Sequence, residues 1–145
     1  MVARRPASAL DRVVRLLAAR PRTTAYLRDR LLSSGCAPEE VTAALARAAE
    51  LGYVNDRAFA AAEAARLSER FAPAVVASRL AAAGVPPEVA AEAVAAVGAD
   101  GAELARELLA KRFGAEALDG AARGRAARFL AGRGFSAEII EQVVG

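Results

Sequence analysis

Leu31-Leu-Ser-Ser-Gly35-Cys-Ala-Pro-Glu39-Glu-Val41 decides the fold, because the stretch returns twice: as Leu80-Ala-Ala-Ala-Gly84-Val-Pro-Pro-Glu88-Val89 and as Leu130-Ala-Gly-Arg-Gly134-Phe-Ser-Ala-Glu138-Ile139. In each copy a Leu stands four residues before a Gly and a Glu four residues after it, and the three Gly are 49 and 50 positions apart. A fixed period of this length marks stacked structural repeats. Each copy reads as a helix, a tight turn and a second helix. Gly35, Gly84 and Gly134 supply the positive φ that ends a helix. Pro38, Pro86, Pro87 and Ser136 suit the start of the next one. Glu39, Glu40, Glu88 and Glu138 then fall in the first turn, where a carboxylate favours the positive end of the helix dipole. The apolar residue after each Gly (Cys36, Val85, Phe135) is placed to pack back on the preceding helix.

Outward from these turns, a further helix precedes each pair. Leu10, Val13, Val14 and Leu17 have the spacing of one buried stripe, ended by Pro21. Leu27 and Leu31 share a face of the next helix; Val41, Leu45 and Ala48 or Ala49 continue on a third, which stops at Gly52. Asn55 caps a helix with Phe59 and Leu67, followed by helices over 75–80 and 89–97. Gly98 to Gly101 is the next break. A helix with Leu104, Leu108 and Leu109 follows, then a loop near 114–120, then helices over 123–132 and 136–144. The expected fold is all-α, an elongated array of three tandem three-helix, helix-turn-helix-like modules: 10–54, 55–98 and 99–145, after a flexible segment at 1–9. A three-helix unit has little core alone, so the modules must stack.

Composition agrees. Of 145 residues 55% are hydrophobic, many of them Ala, and only 5% aromatic, a bias toward closely packed helices. No stretch approaches the roughly 20 apolar residues of a membrane span, and Asp11, Arg12 and Arg15 interrupt the run that a signal peptide needs. Cys36 stands alone and suits a reducing compartment, so a cytoplasmic location is expected. The net charge of +3 is unevenly spread: residues 1–36 carry eight Arg against two Asp, 37–108 six Arg against eleven acids, and 109–145 six basic residues against four acids. Basic ends flank an acidic middle, a layout that could track phosphates at the ends and face protein between them.

Catalysis finds little support. There is no His, which removes the commonest general base and metal ligand. One Cys and no His exclude the usual zinc sets, and no phosphate-cradling Gly-rich loop is present. The chain reads as a non-enzyme that needs no metal and no cofactor. Binding is the remaining chemistry. Arg12 and Arg15 share a face of the first helix, Arg28 and Arg30 flank the Leu27/Leu31 face, and Arg125 and Arg128 share a face of the penultimate helix with Arg133 at its end. The planar fork of Arg suits phosphate and carboxylate partners. The alternative role for these side chains is to solubilise an Ala-rich surface.

Four fragments carry a family resemblance: Leu27-x3-Leu31-x3-Gly35; Pro38-Glu-Glu-Val41-x3-Leu45; Glu50-Leu51-Gly52-Tyr53-Val-Asn-Asp56-Arg57-Ala-Phe59-Ala60; and Phe129-Leu-Ala-Gly-Arg133-Gly134-Phe135-Ser-Ala-Glu-Ile139-Ile140. Over about residues 10 to 144 the chain resembles the RecX family. Within these motifs and the repeated turns, Leu31, Gly35, Leu51, Gly52, Tyr53, Asp56, Phe59, Gly84, Gly134 and Phe135 read as structural, with Asp56 opening a helix, Phe59 packing the first module junction and Tyr53 anchoring a turn. The resemblance implies a regulator that binds along the groove of a RecA–DNA filament, bridges neighbouring protomers, and inhibits strand exchange, ATP hydrolysis and coprotease action; the chain itself is expected to be a monomer that touches single-stranded or duplex DNA weakly or through the filament. One departure bears on this. The family's middle repeat carries basic residues around its second helix, whereas here Arg79 is the only charge between Phe71 and Leu80, which moves the expected contact to the outer modules. Two other readings fit the helical pattern: a tandem helix-turn-helix DNA-binding protein and a generic helical scaffold.

Overall fold

The structure, a computed structural model, describes residues 7–98, 100–114 and 117–145. Among the described residues are nine helices and no strand: α1 Ala9–Ala19, α2 Thr24–Ser33, α3 Pro38–Glu50, α4 Asp56–Ser68, α5 Pro73–Ala82, α6 Pro87–Val97, α7 Gly101–Phe113, α8 Gly120–Gly132 and α9 Ala137–Val144. Their starts follow two rules. Ser8, Thr23, Asn55, Asp100, Asp119 and Ser136 each accept a hydrogen bond from a first-turn amide. Where Ala37, Ala72 or Pro86 stands at the cap, a Pro opens the helix instead. A side-chain cap stabilises a helix by about 1 kcal/mol; Pro supplies a preset φ and lacks an N–H that would have no partner.

The repeated turn has one geometry in all three copies. Gly35, Gly84 and Gly134 have φ of 91°, 94° and 92°. The amide after each Gly donates back to the carbonyl of Leu31, Leu80 or Leu130, at 3.0–3.1 Å. These Leu side chains are also fully buried. The Leu-x3-Gly spacing is thereby explained: one residue closes the turn with its carbonyl and fills the core with its side chain.

Helices pack extensively only within modules α1–α3, α4–α6 and α7–α9. Each module has its own core, around Val13, Leu27, Leu31, Val41 and Leu45 in the first, Leu67, Val76, Leu80, Val85 and Val89 in the second, and Leu104, Leu108, Leu109, Leu130 and Phe135 in the third. Val85 and Phe135 are buried and Cys36 half-buried, each folded back as the turn requires.

Some expectations shift. Val14 is 45% exposed and leaves the α1 stripe, which buries Ala9 and Val13 and packs Leu10, Leu16 and Leu17 partway. The cause is that α1 is covered only by α2 and α3, so its apolar face is narrower than the spacing suggests. Ser8 and Asp119 cap helices that begin at Ala9 and Gly120, one residue before the expected start of the first module and three before the expected start of α8. The flexible segment proposed for 1–9 falls, at residues 1–6, outside the described residues, as do parts of the breaks at 99 and 115–116.

Modules meet through turns. At the first junction Thr23, only 1% exposed, donates its hydroxyl to the carbonyl of Ala83 at 2.7 Å. Asp56 accepts from the Thr24 amide at 2.8 Å and from the Thr24 hydroxyl. At the second, the amide of Ala72 donates to the carbonyl of Arg133 at 2.9 Å, and Ala72 belongs to the core of the third module. Thr23 and Ala72 are matching caps, and Ala83 and Arg133 both precede the motif Gly. A Cβ on Gly84 would stand 2.8 Å from Thr23 Oγ1 and 2.9 Å from Ala25 Cβ, and one on Gly134 would overlap Val75 Cγ2. Gly therefore serves both the turn and the docking of the preceding module.

Candidate functional site

The predicted arginines do not behave as one set. Arg12, Arg15 and Arg30 line a groove of about 510 Å³ between α1 and α2, floored by Leu16, Ala19 and Leu31. The Arg12 guanidinium is steadied by a 3.0 Å hydrogen bond to Ser34 Oγ. Arg28 is exposed on α2 but does not line this groove. Three cations over an apolar floor make a surface suited to an anionic partner with apolar parts.

In the third module Arg125 and Arg128 are exposed on α8, with Arg128 lying back over the Cβ-less surface of Gly124. Arg133 is drawn inward. Its guanidinium sits over the rings of Phe71 and Phe129, 5.4 and 5.2 Å from their centroids, while Arg79 covers Phe71 at 4.1 Å. Arg79 and Arg133 are thus engaged at the second junction. Such cation–π contacts contribute about 0.5–1 kcal/mol where exposed.

The motif residues are distributed as follows. Asp56 joins modules one and two through Thr24. Phe59 packs on the second core and edges a groove at the first junction. The Tyr53 amide closes the turn after α3 onto Ala48, beside Gly52 at φ 74°, but its ring is 51% exposed, as Leu51 is at 39%.

Sequence reading missed that groove, which holds about 570 Å³ between Leu17, Pro21, Tyr53 and Phe59 and is rimmed by Arg20, Arg22 and Arg66. Arg22 covers the Tyr26 ring at 4.1 Å. A hydrogen bond from Arg66 holds the Glu63 carboxyl below the usual carboxylate range; partial burial opposes this, and the charges of Arg66 and Arg20 add to it. The only available signal was the Arg20-Pro21-Arg22 run at a helix end, and nothing in its spacing ties it to Tyr53 or Arg66.

Among the described residues no group of three or more His, Cys, Asp or Glu is placed to hold a metal ion, and no buried side-chain polar atom lacks a partner. None of their helices is long and apolar enough to cross a membrane. Fold and surface together define a helical-repeat protein of tandem three-helix modules, its features suited to binding.

Comparison with known proteins narrows the class. Residues 9–47 match the family model for the first three-helix domain of RecX, and residues 99–144 that for the third. The chain is 35% identical over 135 residues to the regulatory protein RecX of Chromohalobacter salexigens, covering 92% of this chain and 89% of that one. It is 32% identical over 145 residues to the regulatory protein RecX of Leptothrix cholodnii, covering 99% and 92%. The crystal structure of RecX from Lactobacillus salivarius superposes with a TM-score of 0.74 at 20% identity, covering 94% of this chain and 92% of that one. The chain belongs to the RecX family of regulatory proteins.

Proposed function

We propose that this chain regulates recombination by docking along a RecA–DNA filament and inhibiting the strand exchange, ATP hydrolysis and coprotease action of the recombinase. The observation that carries this reading is the convergence of Arg12, Arg15 and Arg30 on one groove of an outer module, in a member of the RecX family. Arg125 and Arg128 supply a second cationic face on the third module, whereas Arg79 of the middle module is committed to Phe71. A three-module array presents contacts to neighbouring filament subunits at once, and cationic faces add a salt-dependent attraction to the nucleoprotein. ATP belongs to the partner; this chain contributes binding surface, acts without a cofactor and works in the cytoplasm.

Co-sedimentation with RecA filaments, free RecA and bare DNA tests the reading. Preferential recovery with filaments is expected. Tight, sequence-selective binding to naked duplex would instead establish a helix-turn-helix DNA-binding protein, and equal indifference to all three would leave a scaffold for other partners.

A further inference from the structure

We infer that the two ends of the module array form a docking site for a second copy of this chain, joined head to tail through the contact that already joins its modules. The inference does not depend on the filament reading, though it shares Arg12 and Ser34 with the groove assigned there. Both internal junctions seat the cap and first turn of a module's middle helix against the glycine turn of the next module: Thr23 and Ala25 on Gly84, Ala72 and Val75 on Gly134. Each adds a hydrogen bond to the carbonyl just before the glycine, that of Ala83 or Arg133.

One half of this contact is open at each end of the described chain. The Gly35 turn has the same φ as the other two, yet among the described residues nothing lies within 4 Å of where its Cβ would stand. The matching cap at the far end is Asp119, exposed and followed by Gly120, Ala121 and Ala122. Gly120 has no side chain, Ala121 and Ala122 add one methyl each, and space is open around Gly120. The Asp119 amide would meet the Ser34 carbonyl as that of Ala72 meets Arg133. The Asp119 carboxylate, which caps the Ala122 amide, would arrive beside Arg12, held on Ser34, while Glu40 of the same hollow is taken up by the Ala9 amide. A contact of this kind is heterologous and does not close on itself, so it yields chains of copies at high concentration.

The test uses the full chain with Cys36→Ala, carrying Ser34→Cys in one preparation and Gly120→Cys in another. Circular dichroism first checks that helicity is unchanged; both positions are exposed. With a short bismaleimide at high protein concentration, a covalent dimer is expected in the mixture and not in either preparation alone. Sedimentation velocity of the unmodified protein should show concentration-dependent association that weakens with Asp119→Asn, which removes the charge but retains a cap. Absence of cross-linking in the mixture together with a strictly monomeric boundary would overturn the inference, and so would equal cross-linking of Ser34→Cys with itself.

Discussion

At the junction of modules one and two, the Thr23 hydroxyl and the Asp56 carboxylate do the joining. At the junction of modules two and three, the same seat is held by a backbone amide, that of Ala72, and by a Phe71 ring covered by Arg79 and Arg133. The glycine turn and the helix cap that faces it are common to both. Docking geometry is therefore set by the backbone, and the side chains that secure it are interchangeable. The first junction should depend on a few hydrogen bonds and the second on spread-out packing.

Substitutions at the motif glycines should sharpen this contrast most. Gly84→Ala combines positive-φ strain with a clash against Ala25 Cβ, which has no rotamer to escape into, and should cost about 2–5 kcal/mol by denaturant unfolding. Gly134→Ala overlaps a methyl of Val75, a β-branched side chain stiff at χ1 within α5, and should cost at least as much. Gly35→Ala meets open space and should cost only the strain, about 1–2 kcal/mol. Equal losses at all three positions would show that turn strain alone matters and that the junctions do not.

Thr23→Val comes next. It removes the cap on the Tyr26 amide and leaves the Ala83 carbonyl without its partner, at about 2 kcal/mol. With Asp56→Ala added, which removes the remaining bonds to Thr24, hydrogen exchange should show the first module opening separately from the rest, since repeats are coupled through their interfaces. Phe71→Ala at the second junction should lower stability without such uncoupling, because the Ala72 amide bond remains. The smallest effect belongs to Glu63→Gln. The folded carboxyl titrates below its ordinary value of 4.5, so its pairing with Arg66 stabilises above that value and is lost as pH falls through the lowered one. The variant should match the wild type in acid and fall slightly below it near neutrality.

Much of the architecture was legible in the sequence because the turn is a local device. Leu31, Gly35 and Glu39 all lie within one helix–turn–helix, so their spacing reports its geometry, and the same holds for Asn55 and Ser136 at their helix starts. The binding surface was less legible because it depends on what lies across a module boundary. Arg133 looks like the exposed end of a basic helix until Phe71 of the preceding module is seen beneath it. Val14 fits a helical stripe, but its spacing says nothing about how many neighbours cover α1. Arg15 and Arg30 come together only because α1 and α2 pack as they do.

Inhibition of RecA ATP hydrolysis on single-stranded DNA, with Arg12, Arg15, Arg125 and Arg128 all changed to Glu, tests the central claim most directly. Helicity should be retained, and half-inhibition should require at least about tenfold more protein, equivalent to 1.4 kcal/mol of lost binding. Inhibition as strong as that of the wild type would contradict the account and move the contact surface away from the outer-module arginines.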